Sequence, residues 1–275
     1  MKNIDSKTVA SFGEEWKRHS QAELDAREHE ELFSKYFSIF PWDQLPDQAS
    51  GFDMGCGSGR WAALVAPRVG HLHCIDPAEQ ALAVCQSNLA VSKNVTFHHA
   101  SVDAVDLEES RQDFGYSLGV LHHIPDTRAA LRSCVALLKP GAPFLLYLYY
   151  AFDNKPQWYR GVWRASELLR AGISRMPESP KSIATDALAA MAYLPAARLA
   201  ALAEKFGTDV SNWPLNDYRK LSFYTMRTDS RDRFGTPLEQ RFTRSEITQL
   251  MGDAGLANIQ FSENTPFWCA VGYKV

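Results

Sequence analysis

The chain lacks any unbroken apolar run of the roughly 18 to 20 residues that a membrane-spanning helix needs, so no span is expected. Its opening residues, Met1-Lys2-Asn3-Ile4-Asp5-Ser6-Lys7, lack the apolar stretch of a secretion signal, so a cytoplasmic location without a membrane partner is expected. Positive charge is not in excess: 29 Lys and Arg against 32 Asp and Glu leave a net charge of −3. A broad nucleic-acid footprint needs a basic face, so nucleic acid is not an expected partner. Cysteine is scarce, at 56, 74, 85, 134 and 269, with no CxxC pair and no metal-ligand spacing. Reduced thiols buried as small apolar groups are expected, and no metal site.

What is present is a soluble-type composition, 45% apolar over 275 residues, which suits one or two domains. Its organising stretch is Phe52-Asp53-Met54-Gly55-Cys56-Gly57-Ser58-Gly59-Arg60. A short apolar run, 49–54, precedes it and a helical pattern over 60–69 follows, so it reads as strand, glycine turn, helix. Glycines let backbone approach a ligand with no Cβ in the way. The spacing is one residue shorter than the G-x-G-x-x-G of dinucleotide sites, which disfavours a nicotinamide oxidoreductase. About 20 residues on, a second strand ends at Asp76, before Pro77. A carboxylate there can accept both hydroxyls of a ribose; the competing reading is a helix N-cap.

Strands and helices then alternate: helix 78–92, strand 95–100, strand 113–121, helix 127–138 and strand 144–149. That order predicts an α/β fold, a doubly wound and mostly parallel sheet with both faces covered. His98 and His99 fall on opposite faces of their strand and cannot share a metal. Two helices, 11–19 and 23–40, precede this core. After it, 155–205 reads as helices broken at Pro177, Pro180 and Pro195. Tyr147, Tyr149, Tyr150, Phe152, Trp158, Tyr159 and Trp163 crowd its entrance, and aromatic faces attract cations. Thr243 and Glu246 form a capping box for a helix over 245–254, with Gly255 closing it. Segments 259–262 and 268–273 are the last strands, an antiparallel pair completing a seven-stranded sheet.

Asp53-x-Gly55-x-Gly57-x-Gly59 resembles motif I of class I S-adenosylmethionine (SAM) methyltransferases. Gly119-Val120-Leu121-His122-His123-x-x-Asp126 is similar to a strand end of their small-molecule branch. Lys139-Pro140-Gly141 and the start Ser11-Phe12-Gly13-x-x-Trp16 fit the same branch. The resemblance covers roughly 50–150 and 241–275. It implies a Rossmann-like methyltransferase fold in four parts: an N-terminal helical lid (1–48), a SAM-binding core (49–150), a helical cap insertion (151–240) and a C-terminal helix with strands (241–275). It implies that Asp53, Gly55, Cys56, Gly57 and Gly59 line the methionine portion of SAM, Asp76 and Pro77 the ribose, and Ser101, Val102 and Asp103 the adenine. Gly119 would approach the SAM amino group, and Phe12 and Trp16 would close over the site. His122, His123, Tyr149 and Asn154 are the candidate catalytic residues, a histidine being able to take a proton near neutral pH. No Asn/Asp-Pro-Pro-aromatic motif of nucleobase methylation occurs, so a small-molecule substrate is expected, with the chain a monomer or homodimer. Two competing readings remain. One is a methyltransferase-like enzyme that cyclises SAM itself to azetidine-2-carboxylate, releasing methylthioadenosine. The other is a SAM-binding protein without turnover.

Overall fold

The computed structural model describes residues 3–21 and 24–275. Met1 and Lys2 lie outside the described residues, as do Ala22 and Glu23, and with Glu23 the predicted start of the second helix. Contacts divide the chain into two compact units, one of residues 1–22, 29–151 and 238–275, the other of residues 23–28 and 152–237.

The first unit opens with α1 (Ser6–Arg18), whose start is five residues earlier than its apolar pattern predicts. The reason is Asp5, whose carboxylate accepts the Thr8 N–H at 2.8 Å and caps the helix. Helix α2 (Ala26–Tyr36) follows. Then come β1 (Ser50–Met54), α3 (Ala62–Val65), β2 (His71–Asp76), α4 (Glu79–Asn88), β3 (Val95–His99), β4 (Phe114–Leu118), α5 (Thr127–Leu137) and β5 (Pro143–Tyr147). The helix predicted over 60–69 is cut to one turn of α and one of 3-10, where Pro67 has no N–H to continue it. Strand β4 ends three residues earlier than predicted, because Gly119 turns the chain at φ +79° and Leu121–His123 forms a 3-10 turn.

Five parallel strands and two antiparallel ones form one sheet in the order β3-β2-β1-β4-β5-β7-β6. The last two are β6 (Leu256–Phe261) and β7 (Cys269–Lys274), preceded by a helix, Arg244–Asp253, with the predicted Thr243–Glu246 capping box. One sheet face carries Phe52, Met54, Ile75, Phe144 and Leu146, packed with Leu131, Val135, Ile247 and Met251. The other carries Leu72, Cys74, Phe114, Tyr116 and Leu145, packed with Phe33, Phe37, Val65, Leu82 and Cys85. At the sheet centre Gly51 pairs with Phe114 and Phe52 with Gly115. A Cβ on either glycine would come within 2.3 Å of the facing ring. Each ring fills the space left by the glycine opposite.

The second unit is helical: α6 (Gln157–Ile173), α7 (Glu178–Leu188), α8 (Leu194–Lys205) and α9 (Phe223–Gly235), around Ile173, Tyr193, Ala197, Met226 and Phe234. Pro177 interrupts the helices as predicted, but Pro180 and Pro195 do not. Pro180 sits in the first turn of α7, where backbone N–H groups have no partner to lose. Pro195 is absorbed by a π-helical turn, Ala189–Tyr193, so 178–205 is one continuous helix. Its apolar window reaches a mean hydropathy of 1.2. By length and composition alone it is long and apolar enough to cross a membrane, a test that core helices also pass. Glu28 accepts from the Ser222 and Thr225 hydroxyls, at 3.1 and 2.6 Å, at the start of α9.

Candidate functional site

The carboxyl ends of β1 and β2, with Asp53 and Asp76, and the turns that follow β1 to β5 hold all the predicted site residues of the first unit except those of α1. After β1 the glycine loop turns sharply, with Gly55, Gly57 and Gly59 at φ +84°, +52° and +78°. The Gly55 and Cys56 N–H groups both donate to the Ile75 carbonyl, at 2.8 and 3.0 Å, which ties the loop to the end of β2.

Asp76 follows directly. One carboxylate oxygen accepts the Gly57 N–H at 2.9 Å and the other the Ala78 N–H at 2.8 Å. The group is 8% exposed, and burial pushes its pKa up to about 6 against those two bonds. It is not the cap of α4, whose cap residue is Ala78 without a side-chain bond. Each oxygen keeps a further lone pair for a donor. Asp53 is also buried, and burial first, then the Cys85 sulfur, raises its pKa. Its Oδ2 and the Tyr116 hydroxyl make no hydrogen bond among the described residues.

After β3, the Ser101 hydroxyl donates to Asp103 at 2.7 Å, the Asn3 N–H donates to the same carboxylate at 2.9 Å, and Val102 is buried. Pro77 receives a ring nitrogen of His99 on its carbonyl at 3.0 Å, and His98 meets His73, consistent with their opposite faces. At Gly119 a Cβ would meet nothing within 4 Å, so space lies open on that side of the chain.

Helix α1 lies over this edge. Gly13 packs so closely on α4 that a Cβ there would come 2.7 Å from the Gln80 amide. That approach puts Trp16 against Gly57, with its indole nitrogen 3.0 Å from where a Cβ would stand. Phe12 meets His123 edge-on, ring centroids 4.9 Å apart. Asn88 donates to the carbonyls of Ser20 and Ser58, joining the end of α1 to the glycine loop.

The two histidines sit in the 3-10 turn after β4, buried at 0% and 4% exposure. Their bonds distinguish them. The Tyr149 N–H donates to His122 Nδ1 at 3.4 Å, and a backbone N–H can only donate, so a neutral His122 carries its proton on Nε2. Burial, then His123 and Arg241, hold His122 well below the usual histidine pKa. His123 Nδ1 faces the Leu238 carbonyl at 2.6 Å, which can only accept, so its lone pair lies on Nε2. His122 therefore presents a donor and His123 an acceptor. Tyr149 stacks on His122 at 4.0 Å. Asn154 belongs to the second unit, exposed in a turn.

Sequence reasoning missed the segment 238–242, which returns to this edge. Gln240 donates its N–H to the His122 carbonyl at 3.0 Å. Arg241 lies 5.1 Å over the Tyr149 ring and pairs with the buried Glu239 at 2.8 Å. No spacing rule places it beside residues so far back in the chain as His122 and Tyr149. The expected absence of a cysteine cluster is also corrected. Cys56, Cys74 and Cys85 converge, their sulfurs all within 4.8 Å of one another, because parallel pairing and α4 gather distant residues.

Comparison with known proteins agrees with this architecture. Residues 52–141 match the family model of a methyltransferase domain. An uncharacterised methyltransferase of Mycobacterium tuberculosis is 28% identical over 122 residues, 44% of this chain and 59% of that protein, so the chain spans less than two thirds of its length. A ubiquinone biosynthesis O-methyltransferase of Neisseria meningitidis is 25% identical over 184 residues, 66% of this chain and 72% of that one. A SAM-dependent methyltransferase structure from Methanosarcina mazei superposes with a TM-score of 0.51 at 15% identity, covering 85% of this chain and 95% of that one. A Haemonchus contortus phosphoethanolamine N-methyltransferase bound to S-adenosylhomocysteine gives 0.50 at 16%, over 94% and 44%. At those identities the structural likeness is one of fold. Residues 52–141 are thus similar to a methyltransferase domain, and the sheet order and glycine loop around them agree with that likeness.

Proposed function

We propose that the protein transfers a methyl group from SAM to a small metabolite. The observation that carries this reading is Asp76, a buried carboxylate bonded to the N–H of Gly57 and still able to accept two hydroxyls. The residues present fit SAM: Gly119 leaves backbone uncovered, and Asp53 Oδ2 is a buried acceptor without a partner among the described residues. When bound, SAM supplies a methyl on a cationic sulfur, an electrophile that needs alignment more than activation. Good alignment in such a displacement is worth about 7–11 kcal/mol.

The chain's own residues supply that alignment. Asp76 would hold the ribose, the loop around Ser101, Val102 and Asp103 the adenine, and the glycine loop with Gly119 the methionine portion. Phe12 and Trp16 on α1 would act as a lid that excludes water. Where the acceptor must lose a proton, His123 Nε2 is the base and His122 Nε2–H a donor to the developing charge or its partner. A small-molecule acceptor is supported by the ubiquinone biosynthesis O-methyltransferases among the relatives, and the absence of a basic charge excess disfavours nucleic acid. None of the relatives named above bears on cyclisation of SAM.

The test is product analysis. Incubation with SAM and a panel of phenols, amines and carboxylates should yield S-adenosylhomocysteine only when an acceptor is present. Methylthioadenosine from SAM alone would replace this reading with cyclisation, and tight SAM binding without any product would leave a binding protein. Asp76→Ala should weaken SAM by about 1–3 kcal/mol in calorimetry through lost charge-assisted bonds. Unchanged affinity would remove Asp76 from the ribose.

A further inference from the structure

Cys56, Cys74 and Cys85 come from a loop, a strand and a helix, yet their sulfurs share one small volume, each within 4.8 Å of the others. Exposures are 6%, 0% and 0%. Gly59 makes room for the third sulfur, since a Cβ there would approach Cys85 Sγ to 2.7 Å. Around the sulfurs the titratable groups are Asp53, Asp76 and Tyr116. Methyl transfer uses none of the three thiols.

We propose that Cys56, Cys74 and Cys85 form a three-sulfur binding site for a soft divalent cation beneath the glycine loop. Geometry carries it first. Three sulfurs at about 2.3 Å from one ion stand about 4 Å apart, so the cluster needs only a small contraction. Thiolates select soft ions over Mg(II) or Ca(II). Zn(II) prefers four ligands, and the group among the described residues numbers three, which favours a trigonal, Cd(II)-like ion.

The experiment is an anaerobic titration of the reduced, metal-free full chain with cadmium chloride. The expected result is an ultraviolet thiolate-to-cadmium band saturating at one ion per chain, and three sulfurs around cadmium by X-ray absorption. Cys56→Ser, Cys74→Ser and Cys85→Ser should each abolish the band, whereas Cys134→Ser and Cys269→Ser, buried thiols outside the group, should keep it. No saturating band, a sulfur count other than three, or a band retained in a Cys56→Ser/Cys74→Ser double variant overturns the proposal. If a core serine variant does not fold, the wild-type stoichiometry and sulfur count decide alone.

Discussion

Asp76 shows how one buried carboxylate couples two equilibria of opposite sign. Its folded pKa of about 6 lies above the roughly 3.9 of an unfolded aspartate, so the folded protein holds that proton more tightly. The stability it contributes is full below about pH 3.9 and lost as pH rises through about 6, about 3 kcal/mol in all. An isolated Asp76→Asn variant should lose that part of the pH dependence of urea unfolding. SAM affinity should move the other way. Hydroxyl donors need the ionised carboxylate, so the dissociation constant should rise by up to about tenfold per pH unit below about pH 6. Calorimetry between about pH 5 and 8 checks it, and a flat profile contradicts the ribose role. The sequence made Asp76 legible through its spacing from Gly57, but not its bonds. Nor did it show which histidine holds its proton on which nitrogen, since that depends on the Tyr149 N–H and the Leu238 carbonyl, which only the fold brings near.

At the scale of elements, the core was readable because β1, β4 and β5 are buried along nearly their whole length and turn residues separate them from the helices. What was not readable were ends and interruptions that depend on a single local bond. Asp5 set the start of α1, Pro67 shortened α3, and the π turn carried the chain through Pro195. Helix α1 offers the sharpest test. Asp5→Ala should remove its cap at about 1 kcal/mol. Amide exchange of the first turn of α1 should quicken several-fold while that of β1 and β4 stays unchanged. Equal acceleration in helix and sheet would mean that the cap holds more than its own helix.

For the whole molecule, stability centres on the interlock of β1 and β4. Gly115→Ala puts a methyl into the Phe52 ring, 2.3 Å from its nearest atom, and overpacking of this kind costs about 1–3 kcal/mol. Denaturant unfolding should report that loss, and Phe52→Leu added to Gly115→Ala should recover part of it, a coupling expected only of touching residues. Losses that merely add would mean the ring and the glycine do not share their space. None of this was visible in the order of residues, because Gly51 and Phe114 meet only through strand register.

The chain leaves the core sheet at Ala151 and comes back at Leu238, and the two tracks run side by side. The Ala151 N–H donates to the Phe242 carbonyl and the Phe242 N–H to the Tyr149 carbonyl, both at 2.9 Å. Departure and return are thus joined by these backbone bonds and by the Arg241 guanidinium, which donates to the Tyr150 carbonyl at 3.2 Å. Whatever is threaded between those two stitches can be lengthened, trimmed or exchanged like a cassette, with the sheet edge left in register.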